Sequence, residues 1–170
     1  MNFSISQTLQ LFNSGDEQVR KSINETLWQV VPFNQPHRIT VTRWTTENVT
    51  AQIPHVASNL NHLQGIHACG LATVAEYVTG LLLLTNLGIE NYRLIMARLD
   101  INYTFQARKD CFASFELTPY TLQNEIVKPL QTLDKIIFPA TVQVTDADGN
   151  EVCLATIHWQ IKSWDKVHLK

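Results

Sequence analysis

The sequence predicts an α+β domain in which an antiparallel sheet wraps around one long central helix, with two extra helices at the N-terminus. Three observations carry that prediction. Two stretches, residues 39–53 and 95–161, contain runs that alternate apolar and polar side chains with the period of two that marks half-buried strands. Between them, Asn61 to Leu87 reads NHLQGIHACGLATVAEYVTGLLLLTNL, where the only charged side chain after His67 is Glu76. A helix that is apolar all round is one that other elements cover. Ahead of both, residues 3–31 space their apolar side chains as helices do.

Residues 3–12 (FSISQTLQLF) read as a short amphipathic helix. Ser14-x-x-Glu17 resembles a capping box opening a second helix, with Val19, Ile23, Leu27 and Val30 on one face. Pro32 and Pro36 end it. Ile39 and Val41, then Val49, Ala51 and Ile53, define two strands joined through TTEN and closed by Pro54. The central helix is expected from about Ala68 to Thr85, with Asn86 and Gly88 as stop signals. Beyond it, Ile95, Ala97, Leu99, Ile101, Tyr103 and Phe105 form the apolar face of one long strand, and Ala107 to Asp110 make its turn. Cys111 to Leu117, Ala140 to Val144 and Cys153 to Ile161 follow as strands, the last two joined by an Asp148-Gly149 hairpin. The four strands after the helix are expected in meander. Residues 119–133 read as a helical excursion interrupted by Pro129. This divides the chain into an N-terminal helical extension, residues 1–35, and a wrapped-helix domain, residues 36–170.

The 170 residues carry a net charge of −2 with no Lys/Arg cluster, which argues against a nucleic-acid partner. Cys69, Cys111 and Cys153 are an odd number without Cys-x-x-Cys spacing, which favours reduced thiols in a cytoplasmic setting. The N-terminus lacks a basic region followed by an apolar stretch, so no signal peptide is expected. Residues 68–89 are long enough to span a bilayer, but Gly70, Thr73, Glu76, Tyr77 and Gly80 dilute them and no basic flank anchors them. A helix wrapped by the sheet is the expectation.

Gly-x-Ser-x-Gly, Walker-type and Gly-x-Gly-x-x-Gly motifs are absent, and the six histidines form no recognisable metal spacing, so no cofactor or metal is expected. The chemistry left is that of residues 61–76. A helix starting near Ala68 leaves the N–H groups of Ala68, Cys69 and Gly70 among its unpaired first-turn donors. Such donors, backed by the helix dipole, can hold a carbonyl oxygen as it gains negative charge. Glu76 lies two turns on, roughly 9 to 12 Å along the axis. One helix alone reaches both only through an extended substrate, or through a groove that a second subunit supplies. The structural alternative for Glu76 is a buried acid satisfied by neighbouring polar groups; for Asn61 and His67 it is loop and cap hydrogen bonding.

Asn61-x5-His67, then Ala68 and Cys69, then Glu76 nine residues after the histidine, resembles the hot-dog-fold acyl-CoA thioesterases, above all the phenylacetate-degradation type and its relatives. The similarity runs from about Arg38 to Trp164, including NYTFQARKD and the closing hairpin DADGNEVCLATIHWQIK. The resemblance implies a hot-dog fold and a homodimer, or a larger assembly such as a tetramer, with active sites at the subunit interface. It further implies an acyl-CoA or acyl-carrier thioester as substrate. Carried over by position, Glu76 is the general base or nucleophile, and the Ala68 N–H polarises the thioester oxygen. Asn61 positions water or substrate, His67 supports the loop, and Cys69, Gly70, Arg108 and Lys109 contact substrate. Ala68 and Cys69 depart from the family's usual glycine pair, and their side chains narrow the approach to the helix start. That departure and the run Leu81 to Leu84 also fit a non-catalytic acyl-CoA-binding or regulatory protein on the same fold. Cys69 as nucleophile and a hydratase are the remaining alternatives.

Overall fold

The computed structural model describes residues 4–167, so Phe3, the first position of the expected opening helix, lies outside the described residues. Helix α1 spans Ile5–Phe12 and α2 spans Glu17–Val30. The capping box belongs to α1, where Ser4 and Gln7 each accept from the other's backbone N–H. At α2 the cap expected from Ser14 comes instead from Asp16, whose Oδ1 accepts from the N–H groups of Gln18 and Val19 at 2.8 and 3.2 Å. A carboxylate against two free donors at the positive helix end outcompetes a hydroxyl two residues earlier.

Among the described residues the sheet has six strands: β1 (Thr40–Trp44), β2 (Asn48–Ile53), β3 (Tyr92–Tyr103), β4 (Cys111–Glu116), β5 (Ile136–Asp146) and β6 (Glu151–Ser163). They lie in the order β1-β2-β4-β5-β6-β3, and every pairing is antiparallel. The expected meander is corrected at β3. That strand pairs with β6 from Tyr92↔Ser163 to Tyr103↔Cys153, and residues 104–110 carry the chain back to β4, which lies between β2 and β5. Alternation records which face of a strand is buried; it does not record which strand lies alongside.

The apolar face read for β3 is also corrected. A bulge between Met96 and Arg98 shifts the register. Tyr92 and Leu94 pack inward before it, and Leu99 and Ile101 after it, so Ile95 is left exposed. One extra residue swaps the faces of everything beyond it.

Helix α3 (Ala68–Leu87) packs against β2, β3, β4, β5 and β6, with Val74, Ala75, Val78, Leu82 and Leu83 fully buried. The helix is long and apolar enough to cross a membrane by length and composition, yet the sheet wraps it as the core. It runs two residues past the expected end, to Gly88 at φ +77°. This is the hot-dog arrangement. After β4, Pro119–Thr121, Leu122–Val127 and Lys128–Thr132 form successive α, π and α turns. The helix widens ahead of Pro129, which has no N–H to give a normal turn.

The two sheet edges differ. At β1, α2 covers the edge: Asn24 accepts from the Val41 N–H at 2.7 Å and donates to its carbonyl at 3.1 Å, and the Trp28 indole donates to the Ile39 carbonyl at 2.6 Å. These bonds satisfy backbone groups that an edge strand would otherwise expose. The β3 edge has no strand beside it among the described residues, and Ile95, Met96, Tyr103 and Phe105 stand exposed on or just beyond it.

Candidate active site

The start of α3 is built by the loop before it. The His67 N–H donates to the buried Asn59 carbonyl at 2.7 Å, and the Ile66 N–H donates to the Ala107 carbonyl at 2.8 Å. His67 is itself the cap: its Nδ1 accepts from the Cys69 N–H at 3.1 Å. A neutral imidazole accepting at Nδ1 carries its proton on Nε2. The expectation of three free donors narrows accordingly. The Cys69 N–H is taken by His67, and the Gly70 N–H closes a tight turn onto the His67 carbonyl at 2.9 Å. The Ala68 N–H has no partner among the described residues, and His67, Ala68 and Cys69 are all exposed. Gly70 faces the sheet, where a Cβ would stand 2.9 Å from Ile53 Cδ1. A Cβ there would have to displace the tip of the buried Ile53 side chain.

Glu76 follows eight residues later on the same stripe as Cys69, Thr73, Gly80 and Leu84, a spacing of roughly 12 Å from Ala68. Apart from Gly80, which is buried against Trp159 of β6, the stripe is the part of α3 that the sheet covers least: Cys69 is exposed, and Thr73, Glu76 and Leu84 are partly buried. The two ends of the stripe open into separate cavities. One, of about 250 Å³, lies at the helix start between Cys69, Thr73, Phe33 and His37. The other, of about 430 Å³, lies beside Glu76 and Gly80 and is walled mainly by apolar and aromatic side chains.

The Glu76 carboxylate has no hydrogen-bond partner among the described residues, and burial pushes its pKa up to about 7. Removing a carboxylate from water without a compensating donor favours its protonated form. The neighbouring Tyr77 hydroxyl is pushed up as well, first by its own burial and then by the Glu76 charge. The floor under Glu76 is fixed: Trp159 donates to Thr79 Oγ1 at 2.8 Å, and the Thr79 hydroxyl donates to the Glu76 carbonyl at 2.8 Å.

The remaining residues singled out from the sequence lie around the helix start. Asn61 Oδ1 accepts from the N–H groups of Leu63 and Gly65, so its carboxamide oxygen organises the loop. Arg108 donates to Gln106, and Gln106 donates to the Leu63 carbonyl, which ties the turn after β3 to that loop. Lys109 is engaged by Asp148. Asn61, His67, Ala68, Cys69, Gly70 and Arg108 thus belong to one neighbourhood, and Glu76 belongs to another. Cys111 and Cys153 are buried and their thiols pushed up to about 12 and about 11, while Cys69 is exposed. No His, Cys, Asp and Glu cluster suited to a metal occurs among the described residues.

Two contributors were not singled out by sequence reasoning. Tyr103, from the open edge strand, donates its hydroxyl to the Ala68 carbonyl at 2.8 Å. Gly80 admits the Trp159 ring, which a Cβ would meet at 3.1 Å. A glycine inside an apolar helix is the signal that could have found the second, because it needs a packing reason.

A search of the curated proteins returns no match. Solved structures share the fold. A protein of unknown function from Pseudomonas aeruginosa, described as a probable thioesterase, is 19% identical, with a TM-score of 0.76 over 96% of this chain and 98% of its own. A thioesterase from Haemophilus influenzae is 10% identical, with a TM-score of 0.61 over 96% and 93%. A thioesterase from Pseudomonas aeruginosa, solved as a mutant, is 13% identical, with a TM-score of 0.64 over 82% and 94%. Residues 20–161 match the family model described as "Domain of unknown function (DUF4442)", and the chain belongs to that family.

Proposed function

We propose that the protein is a homodimeric acyl thioesterase, acting on acyl-CoA or an acyl-carrier thioester, with Glu76 as general base. The observation that carries this reading is the Glu76 carboxylate. It is unpartnered, opens on an apolar cavity, and has a pKa near 7, where a base is half-ionised at neutral pH yet still a strong proton acceptor. Glu76 takes a proton from water as the water oxygen bonds to the thioester carbonyl carbon. The carbonyl oxygen gains negative charge and is held by the Ala68 N–H at the positive end of α3. The C–S bond then breaks, the thiolate recovers the proton from Glu76, and a carboxylic acid and a free thiol leave.

The base and the oxyanion donor lie roughly 12 Å apart along one helix, too far to serve one carbonyl within a single chain. The open β3 edge supports pairing with a second copy, which brings the partner's helix start to Glu76. The solved structures that share the fold and are described as thioesterases support the same reaction class.

One feature favours a second reading, a binding protein without turnover: a single free N–H at the helix start, flanked by the side chains of Ala68 and Cys69. Thiol release from a panel of acyl-CoAs, with wild type and Glu76→Gln, separates the two. Hydrolysis by wild type that Glu76→Gln abolishes supports the mechanism. Tight binding without thiol release supports the second reading, and full activity in Glu76→Gln overturns the role of the acid.

A further inference from the structure

The cavity beside Glu76 extends along α3 toward the helix C-terminus, and part of its wall comes from outside the sheet. Leu27 and Val30 from α2 and Val31 just after it close one side, Leu81 and Leu84 line it from α3, and Trp159 and Trp164 complete it. The α2 wall is held in place, because Asn24 and Trp28 fasten that helix to the β1 backbone. The Trp164 indole is likewise fastened, donating to the Ile89 carbonyl at 2.8 Å. Glu76 stands at one end with Oε1 directed toward Gly80.

Among the described residues, Arg93 is the one other charged side chain that borders this space. Its guanidinium donates to Gln160 Oε1 at 3.3 Å on the outer side of β6, while its Nε is buried without a partner among the described residues. From Glu76 to Leu84 the stripe runs eight residues, about 12 Å. A volume of about 430 Å³ falls within the few hundred cubic ångströms or more typical of small-ligand sites.

We propose that this cavity is the acyl subsite, that it takes an uncharged, apolar acyl group of medium length, and that α2 sets its outer wall and thereby the chain length accepted. The proposal rests on the reading of Glu76 as the hydrolytic base, since it places the scissile carbonyl at the Glu76 end and the tail toward Leu84. A tail bearing a carboxylate is disfavoured, because its charge would be buried among the apolar side chains toward Leu84, and the Arg93 guanidinium that borders the cavity is engaged by Gln160.

The test uses full-length Leu84→Trp, which fills the far end from α3, and Val30→Trp, which fills it from α2. Val30 is 64% exposed, so a larger side chain there leaves the core intact. Two readouts are taken: kcat/KM for butanoyl-, decanoyl- and adipoyl-CoA, and calorimetric binding of the non-hydrolysable thioether S-decyl-coenzyme A against coenzyme A alone. The expected result is a fall of roughly tenfold or more in the decanoyl-to-butanoyl ratio in both variants, with a matching loss of S-decyl-coenzyme A binding. An unchanged ratio together with unchanged binding overturns the subsite even if Glu76→Gln shows the hydrolytic reading to be right. Loss of S-decyl-coenzyme A binding in a protein that hydrolyses nothing upholds the subsite while the hydrolytic reading fails. Preference for adipoyl-CoA over decanoyl-CoA overturns the proposal outright.

Discussion

Oε1 of Glu76 lies 3.9 Å from the point where a Cβ on Gly80 would stand. The acid therefore leans one turn toward the C-terminus of α3, away from the donors at the helix start, and it ends in an apolar space. That direction adds to its separation from the Ala68 N–H.

The pH profile of hydrolysis follows from the desolvated acid. A base must be ionised, so kcat/KM should rise about tenfold per pH unit below 7 and level off above it, with an apparent pKa near 7. A profile that is flat from pH 5 to 8 under conditions limited by chemistry would remove Glu76 from that role.

Stability should respond to pH in the opposite sense. The folded protein holds the Glu76 proton more tightly than the unfolded chain, whose carboxyl has its ordinary value of 4.5. The associated stability is fully present below about pH 4.5 and is lost as pH rises through about 7. Removing the charge in Glu76→Gln should therefore stabilise the fold by roughly 3 kcal/mol at pH 8, with little gain at pH 4. Urea unfolding at the two pH values measures the difference, and a Glu76→Gln variant less stable than wild type at pH 8 contradicts it.

The open edge should be where two copies meet. Ile95 is 45% exposed on β3, ahead of the bulge and alternating with the inward-facing Leu94. Ile95→Asp places a charge in the middle of any β3 pairing and should convert a dimer into a folded monomer that has lost most of its hydrolysis. Light scattering for mass, circular dichroism for fold and thiol release for activity together read the outcome; a monomeric wild type would sink it.

Asn24→Ala should loosen α2 from the sheet. The side chain bonds both the N–H and the carbonyl of Val41, and it is buried. Leaving those groups without partners costs about 1 to 3 kcal/mol, visible as a lower urea midpoint. The same change should raise the proteolytic sensitivity of residues 5–30, since α2 is what blunts the β1 edge.

Gly80→Val should destabilise the fold and narrow the cavity together. Its Cβ would meet the Trp159 ring at 3.1 and 3.2 Å, and that ring is pinned by its bond to Thr79. Overpacking of this kind costs about 1 to 3 kcal/mol, more than the gain from removing a mid-helix glycine. Gly80→Ala should be close to neutral, because helix propensity offsets the tighter contact.

Much of the fold was legible in the sequence, because periodicity is a local property. Alternation marked the strands, the uncharged run marked the wrapped helix, and Gly88 marked its end within two residues. The same locality explains the misses. The β3 bulge looks like unbroken alternation when read residue by residue, and nothing in the β3 sequence says that its neighbour is β6. Asp16 and Ser14 are both competent caps, and only the observed geometry chose between them.

For the candidate site, the sequence by itself identified the acid that needed an explanation and the helix start that could accept charge. A lone carboxylate among apolar residues is costly wherever that helix packs, so Glu76 stood out without coordinates. What the carboxylate faces depends on elements far away in the chain. α2 supplies one wall of its cavity, β6 supplies Trp159, and β3 sends Tyr103 to the Ala68 carbonyl. Those contacts exist only once the sheet has curled around α3 and the chain has crossed over at residues 104–110. The local turn at the helix start decided which first-turn donor stays free, because the His67 side chain and carbonyl claim two of the three. The sequence named the charge; the packing around α3 set its pKa and its cavity.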